Sequence, residues 1–396
     1  AAGEDEFDMI IVQFSELVCI LVCIINLKRI QIMPNPARVV VLPQQQGPLQ
    51  IVELNLPDPG PFEVLVKQFA SGVCHSQLHQ MHNPRANPVV LGHESTGVVL
   101  KTGSAVSHVQ EGDMVMVTWV PRDAAHTDRP AVAASILLPD GSTARSQNVF
   151  TWADTTIADE QYVVKVDNNT KRDVTAIIGC AVMTGAGAVE NTAGVKAGES
   201  VVIFGVGGVG LSAVVAAKAV GANPIIAVDL DDAKLAFARQ FGATHTINAG
   251  QGDPIQQIHA LTINPAKRNF MGQPLAGADY AFDCIGLKKT MEQIVPAVRG
   301  GFFGAETGGT AVLVGVPQTT VELNAIDILI SEKKFIGSIG GSCSPDRDFP
   351  KYLDWYAKGT LDLDAMVTAR FTLEQINEAA HALETGKISG RAILEF

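Results

Sequence analysis

Cysteine is scarce in this chain: six in 396 residues, at positions 19, 23, 74, 180, 284 and 343. They are too few and too scattered to frame a disulfide scaffold, which excludes a disulfide-built secreted module and points to a reducing, cytoplasmic compartment. Positive charge is also short, with 29 Lys and Arg against 41 Asp and Glu and a formal charge of −12. No stretch concentrates basic residues, so a nucleic-acid surface is excluded. Charged residues make up only 18% and hydrophobic ones 47%, a balance that describes a globular chain and not a disordered one. No apolar run crosses a bilayer cleanly. The longest, from Met9 to Ile25, is interrupted by Gln13 and Glu16, and no signal-peptide charge pattern precedes it. Residues 1–33 read three ways: a leader upstream of a start at Met33, a helix or strand packed on the body or a partner, or a membrane anchor.

What is present is organised around Val201-Val202-Ile203-Phe204-Gly205-Val206-Gly207-Gly208-Val209-Gly210. An apolar strand enters a glycine turn, a helix leaves it, and Asp229 ends the next apolar run about 20 residues on, the order expected of a dinucleotide site. Gly205 permits the tight turn, Gly207 lets backbone approach a pyrophosphate, and Gly210 lets helix and strand pack closely. The helix N-terminus, Gly208 and Val209 included, offers N–H groups to the anion. Asp229 can accept from both ribose hydroxyls and repels a 2′-phosphate; no arginine stands among Leu230, Asp231 and Asp232. NAD is therefore expected rather than NADP.

The length exceeds that of a usual single domain, so two are expected. Residues 37–100 hold short β-rich runs punctuated by proline and glycine, the mark of a compact, mostly β unit. Residues 120–150 are polar and irregular and read as a surface lobe or long loop. From residue 182 to 337 strands alternate with helices, which predicts βαβ units and a parallel, doubly wound sheet in an α/β fold. Amphipathic helices follow at 349–358 and 373–385, and a strand at 391–396.

Three islands carry soft or borderline metal ligands: Cys74 in Cys74-His75-Ser76-Gln77-Leu78-His79, His93 in Gly92-His93-Glu94, and Cys180 after Gly179. Alone, each is equally a buried thiol or a satisfied histidine. Two thiolates and one imidazole together form a three-ligand set for a catalytic zinc with its fourth position open.

From Pro36 to Phe396 the chain resembles the zinc-containing alcohol dehydrogenases of the medium-chain dehydrogenase/reductase superfamily. The matching stretches are 72–76, 91–94, 179–185, the Gly205 loop and Gly337-Ser338-Ile339-Gly340-Gly341. The resemblance implies a GroES-like, mostly β catalytic domain (34–181 and 338–396), a Rossmann NAD-binding domain (182–337), and an active site between them. It makes Cys74, His93 and Cys180 the zinc ligands, with Glu94 beside the metal. Ser76 would take the alcohol proton and His79 pass it towards solvent. That fits an alcohol whose pKa zinc has lowered and a histidine titrating near neutrality. Thr184 would lie near the nicotinamide, His75 and Arg391 near the pyrophosphate, and Lys234 by the adenosine ribose. Trp119 would wall the substrate pocket, its alternative being a core tryptophan.

The family pattern also implies a homodimer or homotetramer acting on an alcohol or aldehyde, primary or secondary, aromatic and allylic substrates included. Close relatives act on thiol adducts of formaldehyde; they need cations at the pocket mouth, for which Arg85, Arg122 and Arg129 are available. A non-catalytic nucleotide-binding relative is the remaining alternative. Two departures stand out. Residues 121–150 contain no cysteine, so the second, structural zinc of many members has no ligands and one zinc per chain is expected. Gln77 stands where members usually have an aspartate; its oxygen can still orient His93 but brings no negative charge, an effect of about tenfold on the metal.

Overall fold

The computed structural model describes residues 35–396 apart from 46, 123–127, 270–271 and 303. The run from Met9 to Ile25, with its three readings, lies outside the described residues. The strand Glu63–Val73 is the hub of the first half, and its side chains are almost continuously buried. One edge pairs antiparallel with Glu94–Thr102. The other takes Thr155–Asp159 along its first half and Arg391–Glu395 along its second, with Val73 opposite Ala392. A residue late in the chain is thereby fixed beside Cys74.

Two sheets, of seven and five strands, make up this mostly β part. The described residues of the stretch 120–150 are more regular than the sequence suggests. Ser135–Leu137 and Thr143–Arg145 form a hairpin in the five-stranded sheet, with Ile136 and Ala144 buried between exposed neighbours. Three-residue strands are too short for alternation to register, although Asp140-Gly141, with Gly141 at φ +85°, is a good hairpin turn. Without thiolates, this lobe is tied down by an arginine. Arg129 grips the Asp159 carboxylate with both guanidinium nitrogens at 2.6 and 2.9 Å, and its guanidinium carbon lies 4.2 Å from the centre of the Phe62 ring.

The second half is a six-stranded parallel sheet in the order His245–Asn248, Ile225–Asp229, Val201–Phe204, Tyr280–Asp283, Thr310–Leu313 and Lys334–Gly337. Helices cover both faces, so all of Val201–Phe204 is buried, the reason it reads as an unbroken apolar run. The chain steps outward from Val201–Phe204 on one side, then returns to lay Tyr280–Asp283 on the other. That reversal opens a crevice at the carboxyl ends of the two central strands. The helix Ala181–Gly187, directly after Cys180, packs against the helix Gly208–Ala219 so closely that a Cβ on Gly185 would lie 2.0 Å from the Val209 oxygen. Among the described residues no helix is long and apolar enough to cross a membrane.

Arg129→Met leaves Asp159, 3% exposed, without that cation, and denaturant unfolding is expected to show a loss of about 1–3 kcal/mol. Unchanged stability would mean the arginine fork does not anchor the lobe.

Candidate active site

The hub strand delivers Cys74, which caps the helix His75–His82. Cys180 sits where a tight turn, Val174–Gly179, passes into the helix Ala181–Gly187. His93 follows Gly92, whose φ of +90° suits only glycine; a Cβ there would lie 2.4 Å from the Trp152 nitrogen. These three local structures bring one ligand atom each from Cys74, His93, Glu94 and Cys180 to within 4.8 Å of one another.

The cluster has the chemistry of a zinc site. The two sulfurs are 3.9 Å apart, close to the roughly 3.8 Å separation that two thiolates take on one tetrahedral zinc. The thiol of Cys180 hydrogen-bonds to Cys74, holding Cys74 well below the usual thiol range and pushing Cys180 well above it. His93 Nε2 is buried with no partner among the described residues, which is costly unless something takes its lone pair.

Glu94 is wholly buried, and burial pushes its carboxyl up to about 7 despite the adjacent Arg391 guanidinium. Gly72 makes room for it; a Cβ there would lie 2.3 Å from Glu94 Oε1. Arg391 Nη2 pairs with Glu94 Oε1, while its stem lies over the glycine loop, a Cβ on Gly208 falling 2.0 Å from Arg391 Cδ. One cation therefore touches the carboxylate of the metal cluster and the start of the nucleotide helix.

Gly205 has φ +82°, the space beside Gly207 is open, and a Cβ on Gly210 would lie 1.8 Å from the Gly205 oxygen. Val209 gives its carbonyl side to Gly185. Asp229 Oδ2 accepts the Val206 N–H at 3.0 Å and Oδ1 the Leu230 N–H at 2.8 Å, which fixes the carboxylate at the lip of the loop. Lys234 is half-buried on the following helix, and His75 is exposed at the start of its own. Ser76 Oγ lies 3.4 Å from Cys74 Sγ, and His79 is half-buried one turn further along that helix. The Thr184 hydroxyl is buried without a partner, one turn after Cys180. Trp119 meets both of its readings in part: it packs against the core, yet its ring stands edge-on to His93 at 6.4 Å.

Gln77 departs from expectation. Its oxygen does not orient His93 but accepts the Cys74 N–H at 3.2 Å, and its Nε2 lies against His93 Nδ1. Arg85, Arg122 and Arg129 are all engaged in the protein. Arg85 donates to the carbonyls of Pro43 and Met81 at 2.7 and 2.9 Å, Arg122 to Asp346 at 2.5 Å, and Arg129 to Asp159. Two residues escaped the sequence reading. Leu230 and Ile285, 69% and 40% exposed, follow the strands on either side of Val201–Phe204 and offer apolar walls to a flat ring at the crevice. Apolar residues one or two positions after the strand-end acids, Leu230 after Asp229 and Ile285 two after Asp283, were the available signal.

Comparison with known proteins places this geometry among relatives. Residues 60–168 match the family described as alcohol dehydrogenase GroES-like domain, and residues 208–358 that described as zinc-binding dehydrogenase. The chain is 32% identical to alcohol dehydrogenase class-3 of Cereibacter sphaeroides over 91% of its own length and 99% of the relative's. It is 32% identical to S-(hydroxymethyl)glutathione dehydrogenase of Paracoccus denitrificans over 86% and 94%. Among solved structures, benzyl alcohol dehydrogenase from Acinetobacter calcoaceticus superposes with a TM-score of 0.78 at 28% identity, covering 91% of this chain and 99% of that one.

Gly210→Ala forces the nucleotide helix off its strand. Overpacking of about 1–3 kcal/mol corresponds to a roughly 5- to 150-fold loss of affinity for a reduced nicotinamide dinucleotide, measurable by quenching of intrinsic fluorescence. Unchanged affinity would remove the glycine loop from the binding surface.

Proposed function

The chain belongs to the zinc-containing alcohol dehydrogenases of the medium-chain dehydrogenase/reductase superfamily, and from that premise we propose an NAD-dependent enzyme that moves a hydride between a primary or secondary alcohol and the nicotinamide, giving an aldehyde or ketone. The observation that carries this is Arg391, which joins the carboxylate beside Cys74, His93 and Cys180 to the glycine loop, so that a metal and a dinucleotide would share one cleft. When bound, zinc supplies a Lewis acid for the substrate oxygen and the nicotinamide supplies the hydride acceptor.

The chain's own groups then divide the remaining work. Ser76 Oγ would receive the alcohol proton, and His79, half-buried one turn along the same helix, would pass it towards solvent. Thr184, with an unspent hydroxyl, would hold the nicotinamide side of the cofactor. Glu94 answers Arg391 and would lie beside the metal. Asp229, with no arginine in the next three positions, favours NAD over NADP. Trp119 beside His93 gives the pocket an aromatic wall, which suits aromatic and allylic alcohols. The thiol-adduct reading is less well supported, because Arg85, Arg122 and Arg129 already hold protein acceptors. A cytoplasmic location suits two unbridged thiols 3.9 Å apart.

Purified protein is expected to contain about one zinc per chain, lost in Cys74→Ala. It should form NADH from an aromatic or allylic alcohol without added thiol, and prefer NAD to NADP. Turnover only with glutathione present would shift the assignment to the adduct enzyme; no turnover with any alcohol would sink it.

We also propose a homo-oligomer built on the edge strand Lys334–Gly337, whose outer side has no partner among the described residues. The adjacent helix Ala325–Ser331 exposes Ile326, Leu329 and Ile330 at 67%, 77% and 51%, an apolar surface rarely left bare. Sedimentation should show dimers or tetramers that Leu329→Lys weakens. A monomer at micromolar concentration would overturn this.

A further inference from the structure

Gln77 stands where it cannot serve both of its neighbours once His93 holds a metal. The side chain is 1% exposed, directly beneath the cluster on the first turn of the helix His75–His82. Its Oε1 accepts the Cys74 N–H and its Nε2 meets His93 Nδ1, leaving His93 Nε2, buried and unpartnered, as the nitrogen available to a metal.

A neutral imidazole that gives its Nε2 lone pair to a metal carries its proton on Nδ1. The Gln77 amide then lies between two donors, the Cys74 N–H and the His93 Nδ1–H, with one carbonyl to offer. Turning the amide over moves the mismatch from one neighbour to the other without removing it. In the metal-free protein the Gln77 amide meets both neighbours without mismatch, and only His93 Nε2 goes without a partner among the described residues. The imidazole keeps its proton on Nε2, Nδ1 accepts from Gln77 Nε2, and Gln77 Oε1 accepts from Cys74, as the observed contacts require.

We propose that Gln77 is a positioning residue that favours the Nε2–H form of His93 and so makes the catalytic metal more weakly held and more readily exchanged than a carboxylate at the same place would. Metal loading must move the imidazole proton from Nε2 to Nδ1 and leave one buried donor unanswered, a cost that a carboxylate avoids by accepting from both. This rests on the reading of Cys74, His93 and Cys180 as zinc ligands.

Gln77→Glu keeps the length of the side chain and replaces the donor by a second acceptor. Zinc-loaded full-length protein, titrated with a chromophoric chelator, should give up its zinc about 10- to 100-fold less readily in Gln77→Glu than in the parent. After zinc removal, imidazole nitrogen NMR should show His93 as the Nε2–H tautomer in the parent and as Nδ1–H in the variant. A parent already in the Nδ1–H form, or equal zinc retention in the two proteins, overturns the proposal. Cys74→Ser separates the underlying reading. If it retains zinc in full, the ligand assignment falls and the role of Gln77 with it; if zinc is lost while Gln77→Glu changes nothing, only the role of Gln77 falls.

Discussion

The buried pair between Arg391 and Glu94 is the constraint on which the site depends. Both side chains are removed from water, 6% and 0% exposed, and two charges in that position are tolerated only because each answers the other. Among the described residues Glu94 Oε2 and Arg391 Nε lack partners, so the pair presents one unspent acceptor and one unspent donor. Because Arg391 also lies over Gly208, a charge arriving at either end of it is felt at the other. The cluster of Cys74, His93, Glu94 and Cys180 and the glycine loop are thus tied into one electrostatic unit by a single cation.

The rest of the architecture holds that unit still. The hub strand carries Cys74 out of the core and receives Arg391–Glu395 along its edge. The segment around Cys180 is clamped to the nucleotide helix by the contact of Gly185 with Val209. On the far side, Arg129 performs with one planar cation what a set of thiolates would do around a structural ion. It ties the start of the lobe to Asp159 on a fully buried strand.

Much of this was legible in the sequence because it is written in backbone. Gly205, Gly207 and Gly210 announce a turn and a close approach whatever surrounds them, and alternating apolar runs after residue 182 announce a parallel sheet. Side-chain partnerships were less legible. Which end of the Gln77 amide meets His93 is decided by Cys74 N–H, a backbone group whose position depends on the strand before it. That Arg391 reaches Glu94 depends on strands far apart in sequence lying side by side. The hairpin within 120–150 was hidden by its shortness, and Leu230 and Ile285 look like ordinary core residues until their strands end beneath them.

The pairing of Val73 with Ala392 also sets an order of events during synthesis. A chain emerging from the ribosome presents Cys74, His93 and Cys180 long before the residues from 391 onward exist, so for most of its translation Glu94 has no guanidinium to meet. Until that strand docks, Cys74 and Cys180 stand near a carboxylate that lacks its cation, and the complete site forms only after translation has passed Arg391.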